Sequence, residues 1–93
     1  MTECNKIRKQ IKFYGRVQGV GFRYRAYYSA VSLGLTGWVR NEWDGSVEME
    51  VQGSEEAIQK LLSMLHSERF ISIEHFEQTV IPPIDKERKF KVR

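Results

Sequence analysis

The chain reads as an α+β fold, a split β-α-β arrangement in which an antiparallel sheet carries two helices on one face. Three observations predict it. The hydrophobic period switches between two and nearly four along the chain, giving the order βαββαβ with a short closing strand. An Asp-Gly dipeptide at Asp44-Gly45 joins two alternating runs, the favoured signature of a hairpin turn. The 93 residues, 41% of them apolar, leave room for one domain with one modest core, expected to be ordered over about residues 7–93.

The first strand is expected over Ile7 to Tyr14, with Ile7, Ile11 and Phe13 on one parity and Arg8, Gln10 and Lys12 mostly on the other. Lys9 breaks that alternation. From Phe22 to Leu33 the apolar positions Phe22, Ala26, Ala30 and Leu33 fall at spacings of four, four and three, which lines one face of a helix, and Gly34 suits its C-terminal cap. Leu35 to Asn41 and Ser46 to Gln52 form the hairpin arms. In the second arm Val47, Met49 and Val51 alternate with Glu48, Glu50 and Gln52, so one face is buried and the other wet.

Gly53-Ser54-Glu55-Glu56 opens a second helix, with Ser54 as N-cap and two carboxylates in the positive first turn. Ala57, Ile58, Leu61, Leu62 and Leu65 continue it as an apolar stripe that covers a sheet face. Ser72 to Val80 suits a strand in which Ile73 and Phe76 are out of alternation, the mark of a bulge. Pro82-Pro83 marks a loop, and Lys89 to Arg93 a short last strand. Right-handed crossovers leave few other topologies for this order.

Between the first strand and the first helix lies G-R-V-Q-G-V-G-F-R-Y, Gly15 to Tyr24. Three glycines allow the backbone to turn its N–H groups inward, and the following helix N-terminus adds about half a positive charge. That is the layout of an anion cradle, and Arg23, in the first helical turn and off the buried seam, brings a planar fork of donors beside it. Spacing alone leaves Arg23 open between a solvated helix cation and a phosphate ligand. It likewise leaves Asn41 open between an amide that bonds its own backbone ahead of a turn and one with a role in chemistry.

The stretch Gly15 to Tyr24 resembles the signature of the acylphosphatase family. Gly37-Trp38-Val39-Arg40-Asn41, followed by Asp44-Gly45, resembles its second block at the usual separation. The resemblance extends loosely over the whole chain and implies a ferredoxin-like sandwich that hydrolyses acyl phosphates. It implies that Arg23 holds the phosphate together with the main-chain amides of Arg16, Val17, Gln18, Gly19, Val20 and Gly21, and that Asn41 positions the attacking water. Glu42 and Trp43 fill variable hairpin positions, and strand alternation turns the charge of Glu42 to the face opposite Asn41.

The chemistry is self-consistent without a reactive side chain. The leaving group is a carboxylate whose conjugate acid has a pKa of about 4, so it departs without a general acid. Arg23, loop amides and the helix end supply the charge that the phosphoryl oxygens need, so no metal and no cofactor is expected. Since neither a guanidinium nor an amide titrates near neutrality, the expected pH profile is nearly flat, with no phospho-enzyme.

Bulk properties narrow the rest. A net charge of +3 and 29% charged residues point to a soluble protein with an anionic and small partner, short of the basic stripes of a nucleic-acid binder. Met1 to Gln10 has no apolar leader-like run, and no apolar stretch approaches 18 residues, so neither export nor a membrane span is expected and a cytoplasmic monomer is. Cys4 is the one cysteine and reads as an incidental thiol. His66 and His75 lack partners at ligand spacing and read as surface or sheet histidines. The competing reading is a binding module that stacks bases on Tyr14, Trp38, Tyr24, Tyr27 and Tyr28. Against it, three of these five aromatics fall on the first helix and the aromatic-rich strand signature of RNA-recognition domains is missing. A weaker third reading is a module that recognises carbamoyl phosphate without free turnover.

Overall fold

A computed structural model of the chain describes residues 6–93, so Cys4 lies outside the described residues. The elements follow as β1 (Ile7–Arg16), α1 (Phe22–Ser32), β2 (Thr36–Asn41), β3 (Val47–Gly53), α2 (Glu55–His66), β4 (Ser72–Ile81) and β5 (Phe90–Val92). They build one sheet in the order β4-β1-β3-β2-β5. The first four strands pair antiparallel as expected, whereas β5 lies parallel to β2 and makes the sheet mixed at that edge. Chain direction explains this. β4 ends where β1 begins, the connecting segment crosses the sheet at that same end, and β5 must start there and run the way β2 runs.

Alternation puts Ile11, Phe13, Val39, Val47, Met49, Val51 and Phe90 on one face of the sheet. Both helices cover that face. Phe22, Ala26 and Ala30 come from α1 and Ile58, Leu61, Leu62 and Leu65 from α2. Burying each of the larger side chains contributes about 1.5–3 kcal/mol. Leu33, the last position of the expected α1 stripe, is the C-cap residue and packs partly buried against the core.

The two irregular positions seen in the sequence have physical explanations. The register of β1 against β4 shifts between Tyr14, opposite His75, and Gly15, opposite Ile73, so Glu74 is the extra residue of a bulge. The bulge returns both Ile73 and Phe76 to the core side, where each packs partly buried. Lys9 stays in strand register on the core-facing parity, and its Nζ reaches Glu55 Oε2 at 3.1 Å and Gln78 Oε1 at 3.2 Å, so the misfit charge is paired where α2 begins.

On the face away from the helices, Gln10 bonds Glu48 while Arg40 reaches Glu42 at 2.6 Å and Glu48 at 3.2 Å. At one end of this polar face lies Arg8, 1% exposed. Its guanidinium donates to Glu50 Oε1 at 2.9 Å, to Gln52 Oε1 at 3.2 Å and to Glu87 Oε1 at 2.7 Å. Gln52 in turn exchanges two hydrogen bonds with the backbone of Ile84, at 2.9 and 2.8 Å. These side chains hold residues 82–89 across the sheet.

Candidate active site

The ends of β1, β2 and β5 and the start of α1 meet at the other end of the sheet. There Val17, Gly19, Gly21, Phe22, Arg23, Tyr24, Asn41 and Val92 enclose a cavity of about 490 Å³. Arg23 and Asn41, 18 positions apart in the chain, therefore face one space.

The loop that builds the cavity floor is anchored by side chains and lined by backbone. Val17 is fully buried and Val20 packs partly buried against the core. Between and after them Gly19 and Gly21 take left-handed φ of +74° and +81°, which a side chain would resist. Gly21 is also the N-cap of α1, so the chain enters the helix directly from the turned loop.

The start of α1 differs from that of α2 in a way that bears on chemistry. In α2 the Ser54 side chain accepts from the Ala57 amide at 3.1 Å, and Glu55 and Glu56 sit in the first turn. In α1 no side chain caps the helix and the first turn carries no acidic residue. The first amides of α1 thus have neither an intrahelical acceptor nor a capping oxygen, and they open on a cavity beside a guanidinium. A helix start of this kind suits an anion.

Arg23 extends from the first turn of α1, half-buried, and its Nη1 donates to the main-chain oxygen of Arg93 at 2.9 Å. That bond uses one of five donors and leaves the rest for a ligand. Asn41 is the last residue of β2, opposite Val47 of β3. Glu42 carries the nearest negative charge in sequence, but its carboxylate is turned to Arg40, with Oε2 at 2.6 Å from Nε. The hydrogen bond from Arg40 holds the Glu42 carboxyl below its ordinary pKa, so its charge is spent on that pair and away from the cavity.

Of the residues that the resemblance assigns to the loop, Val17, Gly19 and Gly21 line the cavity, while Arg16, Gln18 and Val20 do not. Arg16 is the last residue of β1, exposed and opposite Ser72. Gly15 proves to belong to the strand rather than to the cradle. A Cβ there would stand 2.3 Å from the Ser72 carbonyl oxygen, so its role is the close passage of β1 past the β4 bulge. Spacing missed Gln18 altogether as a side chain. Its Nε2 donates to the carbonyls of Glu42 at 2.6 Å and Ser46 at 2.8 Å.

The histidines lie elsewhere. His66 Nδ1 is 2.9 Å from the Leu62 carbonyl with its ring edge-on to Phe76, and His75 stacks on Tyr14. Among the described residues no three His, Cys, Asp or Glu side chains gather so as to hold a metal ion, and no helix is long and apolar enough to cross a membrane. Of the aromatics in the competing reading, Trp38 is 9% exposed, and Tyr24 and Tyr28 stack on each other along the outer face of α1 rather than on the sheet.

A model of the acylphosphatase family matches residues 9–92. A Bifidobacterium longum protein named acylphosphatase is 47% identical over 92 residues, covering 97% of this chain and 95% of its own. Among solved structures, an acylphosphatase from Bacillus subtilis superposes with a TM-score of 0.86 at 32% identity, covering 94% of this chain and 98% of its own. One from Coxiella burnetii gives 0.85 at 30% identity, covering 96% and 94%.

Proposed function

Because this chain belongs to the acylphosphatase family, we propose that it is an acid-anhydride hydrolase that cleaves the carboxyl-phosphate bond of acyl phosphates to a carboxylate and inorganic phosphate. One observation carries the mechanism. The uncapped start of α1, the guanidinium of Arg23 and the amide of Asn41 line a single cavity.

In this reading the phosphoryl oxygens bind to main-chain amides of the loop 16–21 and to the Arg23 fork, in an arrangement already formed before the substrate arrives. The Asn41 side chain, which can accept and donate at once, orients a water for in-line attack on phosphorus. Charge that develops on the equatorial oxygens meets donors that need not move. The bond to the carboxylate breaks and the carboxylate leaves without a proton, since its conjugate acid has a pKa of about 4. No residue takes up the phosphoryl group. Arg23 and the helix end supply the positive charge, so no metal enters the scheme. In the same reading residues 1–93 act as one domain, a monomer in the cytoplasm; the single domain is supported by a core cluster that draws on six of the seven elements through buried side chains and on β4 through the partly buried Ile73 and Phe76.

Steady-state hydrolysis of benzoyl phosphate with and without a chelator tests the proposal. Turnover unchanged by chelation is expected. Absent turnover, or turnover abolished by the chelator and restored by a divalent metal, refutes it.

A further inference from the structure

The cradle and Asn41 belong to strands that are not neighbours. The loop 17–21 follows β1, Asn41 ends β2, and β3 lies between those strands in the sheet. The sheet links them only indirectly, since Val47 of β3 pairs with Phe13 on one side and Asn41 on the other, and the loop 17–21 lies beyond that register. Among the described residues, the hydrogen bonds that join this loop to the hairpin are the two made by Gln18.

Both partners of Gln18 Nε2 are backbone carbonyls, of Glu42 at 2.6 Å and Ser46 at 2.8 Å. Carbonyls only accept, so the amide NH₂ must be the end that faces them, and both of its hydrogens are used. The two carbonyls bracket the hairpin turn. The Glu42 amide donates to the same Ser46 oxygen at 2.8 Å, and Ser46, 2% exposed, bonds Asp44 Oδ1 through its amide at 3.0 Å and its hydroxyl at 2.6 Å. Gln18 thus grips a rigid turn one residue beyond Asn41. Its own backbone is fixed by Val17, fully buried immediately before it.

We infer that Gln18 is a positioning residue, whose side-chain amide holds the Glu42–Ser46 turn against the phosphate loop and so sets Asn41 relative to the bound phosphoryl group. The inference rests on the reading in which Asn41 orients the water. Gln18 does not line the cavity and touches no reacting atom. Its loss should leave phosphate binding, which uses Arg23 and loop amides, and should spoil the aim of the water.

A double-mutant cycle between Gln18 and Asn41 tests this. Gln18→Met keeps the length and removes both donors. Its kcat for benzoyl phosphate should fall by about tenfold, a fraction of what a misplacement of about 1 Å costs. Competitive inhibition by inorganic phosphate should stay within about twofold of wild type, since the gripping donors are intact. In an Asn41→Ala background Gln18→Met should cost less than about twofold more, because residues that act through one another are not additive. Gln18→Glu has the shape of glutamine but turns a carboxylate on the two carbonyls. Its kcat should be low at pH 7 and recover as pH is lowered towards 5, where a protonated carboxyl again donates, while wild type stays flat.

This second variant keeps the test decisive if Gln18→Met does not fold. A full tenfold loss in the Asn41→Ala background, phosphate inhibition that weakens in step with kcat, or no acid recovery of Gln18→Glu overturns the role of Gln18 alone. Wild-type kcat in Asn41→Ala overturns the underlying reading as well.

Discussion

A guanidinium meets a phosphoryl group with two parallel hydrogen bonds, and an ammonium of the same charge meets it with one moving point. Arg23→Lys keeps the charge and should still lower kcat/KM about a hundredfold, the scale of losing one oriented donor. Steady-state assays against wild type check this, and near-wild-type turnover would remove the proposed grip. Asn41→Ala should lower kcat by about a hundredfold while inhibition by inorganic phosphate changes less than about twofold. A large loss of phosphate inhibition would instead make Asn41 a phosphate ligand. Spacing left both residues open, and the family resemblance of their blocks made them the candidates. Gln18 as a side chain was not among them, because its partners lie 24 and 28 positions away and no local spacing encodes them. Gly15 misled for a similar reason. A glycine next to a glycine-rich loop looks like part of it, and only the approach of Ser72 across the sheet reveals the strand role.

Elements carry the next level of constraint. The two helices differ at their N-termini: α2 is closed by Ser54 and two carboxylates, whereas α1 is left open at the place proposed for the phosphoryl group. In the hairpin, Gly37 has φ +137°, and a Cβ there would stand 1.9 Å from the Glu50 carbonyl oxygen. Gly37→Ala should therefore destabilise by about 3 kcal/mol or more through backbone strain and overlap in a packed sheet. Urea denaturation measures it, and a cost below about 1 kcal/mol would mean that the sheet yields at this point.

The hairpin turn also titrates. The Ser46 hydroxyl and amide hold the Asp44 carboxyl below its ordinary pKa, as Arg40 holds that of Glu42. Groups with a lowered folded pKa stabilise above their unfolded value and lose that contribution as pH falls through the folded one. The urea midpoint should accordingly decline below about pH 4, and Ser46→Ala should weaken that decline. A Ser46→Ala pH profile parallel to wild type would sever the link.

At the scale of the molecule, β4 and β5 lie on opposite edges, and the chain between them must cross the whole sheet. Arg8 pins that crossing. Burial opposes its charge, yet Glu87 and Glu50 outweigh this and raise its pKa. Arg8→Ala leaves two carboxylates without their partner. Since Glu50 and Glu87 remain 20% and 18% exposed, the cost should be about 2–3 kcal/mol, below that of a fully buried pair. Thermal and urea unfolding check it, and a change under about 0.5 kcal/mol would mean that Gln52 alone suffices to hold the crossing segment. The edge this segment delivers, β5, is three residues long, is preceded by Lys89 and carries Lys91 at its centre, features that blunt an open strand edge against pairing with other chains.

Most of the fold was legible in the residues themselves. Periodicity, the Asp44-Gly45 turn, the Ser54 cap and the Pro82-Pro83 break are local signals, and they determined the elements, the split β-α-β order and the bulge near Ile73. The two glycine-bearing blocks likewise determined the family resemblance, which offers Arg23 and Asn41 as candidates. Only the tertiary structure decided that β5 runs parallel to β2, that Arg8 and Lys9 are buried in pairs, that Gly15 serves a strand crossing and that Gln18 ties the loop to the hairpin. Each of these is a contact between residues brought together by strand order. A chain's local spacing sets which face a side chain takes, but not which distant element will come to lie against that face.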